Sequence, residues 1–140
     1  TEPILLALKT AAAAGVDVRI MIPEKSDSRM VHWGTMSYLQ ELMEAGIKIY
    51  MYQKGFLHSK LIVCDDCLSS VGSTNMDFRS FEHNFEVNAF MYDKTSALML
   101  KEIFLSDQKD AKLLHLKEWR MRPWSQKVKE SVIRLFAPLL

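Results

Sequence analysis

The sequence predicts an α/β fold, a mixed β-sheet flanked by helices on both faces, and three observations carry that prediction. Apolar residues recur at helical spacing in some segments and form short β-branched runs in others. The first third of the chain alternates α-β-α-β, the order that implies a parallel sheet with crossover helices. The middle then places short strands one after another with no helix between them, which implies an antiparallel part of the same sheet. At 140 residues the chain fits one domain, residues 1–140, with 111–140 as a C-terminal helical tail.

Each element has its own signal. Thr1, Glu2 and Pro3 make a helix start, since Pro is tolerated in a first turn. The helix continues through Leu5, Leu6, Leu8, Ala11 and Ala12 and stops at Gly15. Val16 to Ile22 is aliphatic, ends at Pro23 and reads as a buried strand. After the polar loop Glu24–Ser28, helical spacing over 30–45 (Met36, Leu39, Leu42, Met43) closes at Gly46. Ile47 to Tyr52 is the next strand. Leu61–Val63 and Ser69–Val71 are short strands joined by the tight turn Asp65-Asp66-Cys67, and Phe85–Tyr92 is a longer one carrying Glu86. Thr95 to Leu105 is a helix, a charged connector follows, and a last helix runs from about Ser125 to Phe136, before Pro138. Met36, Met43, Met51 and Met91 are expected on buried faces as gap fillers.

Composition narrows the function. Hydrophobic residues make up 49% and charged residues 25%, as in a globular chain rather than a disordered one. A net charge of +1 argues against nucleic acid as a partner. No apolar run approaches the roughly 18 residues of a membrane-spanning helix, and no signal peptide is recognisable, so this segment is expected to be soluble. A start without Met, already inside a helical pattern, leads us to expect a piece of something longer. Cys64 and Cys67 form a lone C-x-x-C without a second ligand pair and read as incidental, as do His83 and His115.

The chemistry concentrates in His58-Ser59-Lys60-Leu61-Ile62-Val63-Cys64-Asp65, which spells H-x-K-x4-D. Alternation puts the His58 and Lys60 side chains on one face of an extended segment, at one end of the sheet. A neutral imidazole beside a fixed ammonium suits attack on a phosphodiester: the cation neutralises the phosphate, and the imidazole is free to act at neutral pH. Gly72-Ser73-Thr74-Asn75 follows the next short strand, where Gly permits a sharp turn and Ser73 and Asn75 offer donors to phosphate oxygens. Glu86 is the candidate carboxylate to orient the His58 ring. Taken singly, each feature has an ordinary structural reading: a surface His, a turn, a solvated strand residue.

In this order the residues resemble the phospholipase D superfamily, with its H-x-K-x4-D, its G-S-x-N and its later acidic residue. The flanks Gly55-Phe56-Leu57-His58, Ser73 to Phe81, Asn84 to Asn88 and Ser131 to Leu140 are similar to bacterial cardiolipin synthases. The resemblance implies a phospholipase D-like half-domain in which His58 becomes a phosphohistidine or protonates the leaving alcohol. Lys60 and Asn75 would grip phosphate, Glu86 would orient His58, and Asp65 would stabilise local structure. No metal or cofactor is implied. It further implies transfer of a phosphatidyl group between two phosphatidylglycerols, giving cardiolipin and glycerol, in a full-length enzyme at the bacterial cell membrane. The family uses two such motifs and this chain has one, so the N-terminal half of the same enzyme, or a second copy, is expected to supply the other. The alternative on the same scaffold is a phospholipase D-like endonuclease acting as a homodimer; a third is a non-catalytic interaction domain.

Two further groups stay open. Arg29, His32 and Tyr38 open the second helix and could border a substrate cleft. The final segment interleaves Arg120, Arg122, Lys127, Lys129 and Arg134 with Trp119, Trp124 and Phe136, which fits either an anionic membrane surface or a terminal helix packed on the domain.

Overall fold

A computed structural model describes residues 2–26 and 28–135. The expected capping by Thr1 and the segment from Phe136 onward lie outside the described residues. Six strands and six helices follow in the order α1 (Glu2–Ala13), β1 (Arg19–Pro23), α2 (Arg29–Glu44), β2 (Lys48–Tyr52), β3 (Leu61–Cys64), β4 (Leu68–Gly72), α3 (Phe78–Glu82), β5 (Asn88–Met91), α4 (Lys94–Gln108), β6 (Ala111–Leu113), α5 (Leu116–Arg120) and α6 (Trp124–Leu135).

Both early helices end at a glycine for the same physical reason. Gly15 and Gly46 each take φ of +91°, a left-handed conformation that side chains disfavour. The residue after each glycine donates back to the preceding turn, Val16 N–H to Ala11 C=O at 3.1 Å and Ile47 N–H to Leu42 C=O at 3.1 Å. At its other end α2 is capped by Ser28, whose side chain accepts from the Val31 N–H.

The α/β class holds, but the strands separate into two small sheets rather than one. The first has the order β1-β2-β6, with β1 and β2 parallel and β6 antiparallel to β2; the second, β3-β4-β5, is antiparallel throughout. Helices cover both faces of the first sheet. Ile20 pairs with Ile49 in register, and these residues meet Met36, Leu39 and Leu42 of α2 and Trp119 of α5 in the main core. Arg19, one residue out of phase, points to the opposite face and donates to Gln108 of α4 at 3.2 Å. Helix α4 then reaches across, touching strands of both sheets, with Ala97 fully buried.

Three elements differ from the sequence expectation. The longer strand starts at Asn88, not Phe85, so Glu86 lies in the loop before it. The helical tail over 111–140 opens with a strand, β6, which pairs Leu113 with Tyr50 and closes the edge of the first sheet. The short helix α3 forms because the Asp77 side chain accepts from the Ser80 N–H at 2.7 Å.

Candidate active site

Strand register assembles the site. Leu61 pairs with Val71 and Gly72 with Asn88, so three chain segments meet at one end of the second sheet. They are the approach to β3 (His58 to Lys60), the exit from β4 (Gly72 to Asn75) and the approach to β5 (Glu86 to Asn88). Pairing extends past the strand ends: Gly72 N–H donates to Lys60 C=O at 3.2 Å, and Ser73 N–H to Val87 C=O at 3.0 Å. Gly72 is squeezed between both neighbours. A Cβ there would collide with the Val87 carbonyl and with Asn88, backbone included, so the position excludes any side chain.

The side chains at this end form a connected polar group. One oxygen of Glu86 accepts from the Ser73 hydroxyl, the other from the Asn84 amide at 3.2 Å. The Val87 N–H in turn donates to Ser73 Oγ at 3.0 Å. These donors, Ser73 first and Asn84 next, hold the Glu86 carboxyl below the usual carboxylate range, and the positive charge of Lys60 adds to the effect. Glu86 is thus an anion at neutral pH. Lys60 Nζ donates to the His58 carbonyl at 2.8 Å, which folds the ammonium back over the segment that carries the imidazole. The His58 side chain is exposed, and its ring stacks on Phe56 with centroids 5.5 Å apart and planes 18° from parallel.

His58, Lys60, Ser73 and Glu86 therefore share one neighbourhood, and Asn75 follows in the exposed loop two residues after Ser73. The pairing expected between Glu86 and His58 is not formed: among the described residues no hydrogen bond joins them, and Glu86 is held by Ser73 and Asn84 instead. Asp65 is elsewhere. It follows β3 at the opposite end from Lys60, about 16 Å away at the rise of an extended strand. Asp65 and Asp66 take φ of 49° and 58°, and Cys67 N–H donates to Cys64 C=O at 3.1 Å to close the hairpin. Aspartate tolerates that left-handed geometry better than most residues, so a turn-forming role is what the geometry gives Asp65.

Sequence reasoning missed Thr74, Asn84 and Asn88. Asn88 donates to the Thr74 hydroxyl and locks the two approaching segments together. The available signal was spacing, since Asn84, Glu86 and Asn88 recur every second residue and share a face in an extended chain. The residues offered as a possible cleft border separate. His32 lines a cavity of about 430 Å³ with Trp33, Trp119, Arg122 and Lys129, whereas Tyr38 supports the Arg134 guanidinium, 4.3 Å above its ring. The Cys64 thiol, its pKa pushed up chiefly by burial and also by the Asp65 charge, is a poor nucleophile at neutral pH.

Such a group can do defined chemistry. The Lys60 ammonium and the hydroxyl and amide donors of Ser73 and Asn75 offer a single negative charge several partners. The His58 ring, reachable from solvent, can take or give a proton, or attack.

Comparison with known proteins bears on the family and the fold. The family model described as "Cardiolipin synthase, PLD-like domain" matches residues 1–108. The cardiolipin synthase of Geobacillus kaustophilus is 50% identical over 139 residues, covering 99% of this chain and 28% of that protein. Cardiolipin synthase 1 of Staphylococcus epidermidis is 51% identical over 134 residues, 96% of this chain and 27% of that protein. The chain thus spans a little over a quarter of the length of these relatives. Among solved structures, the phospholipase D family member Nuc from Salmonella typhimurium superposes with a TM-score of 0.70 at 23% identity, over 80% of this chain and 73% of that one. Phosphatidylserine synthase from Haemophilus influenzae superposes over 100% of this chain and 39% of its own, with a TM-score of 0.75 at 15% identity. At those identities the two structures speak for the fold alone.

Proposed function

Because the chain belongs to the cardiolipin synthase family of phospholipase D-like domains, we propose that it supplies one of two half-sites of a phosphatidyltransferase that makes cardiolipin and glycerol from two phosphatidylglycerols. The observation that carries this reading is the gathering of Lys60, Ser73 and Glu86 beside an accessible His58 at one end of a sheet. Lys60, with Ser73 and Asn75, binds the diester phosphate. An imidazole attacks phosphorus, forming a P–N bond as the bond to the headgroup glycerol breaks, and a second imidazole gives that alkoxide its proton. The headgroup hydroxyl of a second phosphatidylglycerol then attacks, its proton passing to the imidazole that had acted as acid. A new P–O bond forms and the P–N bond breaks. His58 fills either imidazole role.

For Glu86 to orient His58, its carboxylate must turn from Ser73 or Asn84 toward the ring once phosphate engages those donors. Two imidazoles are required and this chain offers one motif, so the partner is the other half of the same polypeptide or a second copy, working at the bacterial cell membrane. The chain by itself is accordingly expected to be inactive.

The test is phosphatidylglycerol turnover by the full-length protein against its His58→Ala variant, with cardiolipin and glycerol assayed together. Cardiolipin formation is expected to fall on the order of a thousandfold or more in the variant. Undiminished turnover would remove His58 from the chemistry. DNA cleavage with no cardiolipin from the wild type would hand the scaffold to a nuclease.

A further inference from the structure

Helix α6 is amphipathic the wrong way round for a helix that only packs on its own domain. At about 100° per residue, Trp124, Val128, Val132 and Leu135 fall within roughly 80° of one another on one face. The ends of that face are turned outward, Trp124 76% exposed and Leu135 79%, while Val128 and Val132 are about half exposed and border a shallow apolar groove with Trp33 of α2. A polar residue faces inward in its place. Glu130 is buried, holding the Arg122 guanidinium through both oxygens at 2.7 and 3.0 Å, while Arg122 lies 3.3 Å over the Trp119 ring. A buried bidentate pair costs desolvation and contributes little net stability, so folding alone gives no reason for this distribution.

Cations flank the ridge on both sides. By the same helical period Lys129 lies along one border and Lys127 along the other, where Arg134 is turned to α2 and donates to Glu41 at 2.9 Å. Lys117 adds to the charge from the neighbouring α5, whose Arg120 is paired with Glu44 at 2.7 Å. Over 116–135 there are six basic residues against Glu118 and Glu130; Arg122 is paired with Glu130, Arg120 with Glu44 and Arg134 with Glu41, which leaves Lys117, Lys127 and Lys129 without an ion pair among the described residues. An apolar ridge that begins with an exposed Trp and is bordered by Lys is complementary to one surface in particular, the headgroup boundary of an anionic bilayer.

We propose that α6 lies in the surface of an anionic membrane, with Trp124, Val128, Val132 and Leu135 entering the acyl boundary and the flanking cations on lipid phosphates. The ridge belongs to different elements from the His58 site, and its contact with lipid does not depend on which diester that site takes. Bilayer contact there would hold the domain by the helix that packs along α2, leaving the second sheet free for its partner.

The test places a nitroxide at position 128 or 132 (Val128→Cys or Val132→Cys, in a Cys64→Ser, Cys67→Ser background) of the full-length protein. The protein is reconstituted in phosphatidylglycerol vesicles or in phosphatidylcholine vesicles. In anionic vesicles both labels are expected to become several-fold more accessible to oxygen than to a polar nickel complex. That preference is expected to weaken in the zwitterionic ones. Labels open equally to nickel would leave the ridge in water. Labels shielded from both reagents would put protein over it, the rest of the chain or a second copy. Equal behaviour in both lipids would remove the role of the cations. Each of these three results overturns the proposal.

Discussion

The two sheets are built to different standards of burial. Around β1-β2-β6 the packing is dense: Ile49 is fully buried, Leu39 is 2% exposed, and α1, α2 and α5 contribute side chains to one cluster. Around β3-β4-β5 the fully inward positions are Ser69 and Ser70, while Ile62, Val71 and Phe90 stay partly or largely open to solvent and Phe85 is completely so. Folding by itself does not leave that much apolar surface beside a polar site without a use for it. The first sheet anchors the domain, whereas the second leaves apolar side chains exposed around the polar site. Under the proposed function the single H-x-K-x4-D motif of the chain calls for a second half-site, and the exposed second sheet is a surface it could cover.

Truncating the two sheets in parallel gives the largest contrast. Leu39→Ala removes a side chain buried among α2, α5 and the first sheet, and is expected to cost about 2–5 kcal/mol in a urea titration. Phe90→Ser, on a residue 62% exposed, is expected within about 0.5 kcal/mol of wild type in the same measurement. Equal losses would mean that the second sheet is as self-sufficient as the first. Next in size is Gly72→Ala. Its Cβ would run into the Val87 carbonyl and Asn88, and the obstructing atoms include backbone, which cannot swing aside. The variant is expected to lose roughly 2 kcal/mol of stability and, in the full-length protein, its activity, because the same strain displaces Ser73. Retained turnover would show that the junction of β4 and β5 tolerates spreading, and that the site is less tightly specified than its hydrogen bonds suggest.

The same division governs what could be read from sequence. In the first sheet, β1, β2 and α2 announce themselves through apolar period and glycine stops, because burial on one face imposes a pattern. Strand β6 escaped notice: at three residues, Ala111–Leu113, with Lys112 between the apolar pair, it reads as a charged connector. Its identity comes from pairing with β2, which no local signal carries. In the second sheet the placement of His58 and Lys60 at one end was legible from alternation, and the hairpin from its paired aspartates. The start of β5 was not, because Phe85 and Val87 look like strand core and are in fact exposed. Period-two alternation marks a strand only where one face is buried. The actual partners of Glu86, Ser73 and Asn84, depend on side-chain geometry across a 13-residue separation in one case and two in the other, and spacing alone favours neither over His58.

The smallest expected effect separates the two regions by the origin of a charge. Asp17 and Glu86 are both carboxylates held below their ordinary range, for different reasons. Asp17 is lowered from 3.8 to about 2 by cations, the Arg19 guanidinium first at 2.6 Å and the Lys48 ammonium next at 2.8 Å, and it ties β1 to the start of β2. Glu86 is lowered mainly by neutral donors. A depressed folded-state value means that Asp17 contributes stability above 3.8, and that the contribution is lost as pH falls toward 2. Its side chain is 47% exposed, so solvent screening should keep that contribution under about 1 kcal/mol. Asp17→Asn is therefore expected to be slightly less stable than wild type near neutral pH, the gap narrowing as both are titrated with urea toward pH 2. Roughly 1 M salt should close the gap as well, since ions screen a pair at the surface, while leaving the lowered titration of Glu86 largely in place because hydroxyl and amide donors are not screened in the same way. A gap that ignored both pH and salt would mean that Asp17 acts through shape, and the electrostatic tie between β1 and β2 would have to be given up.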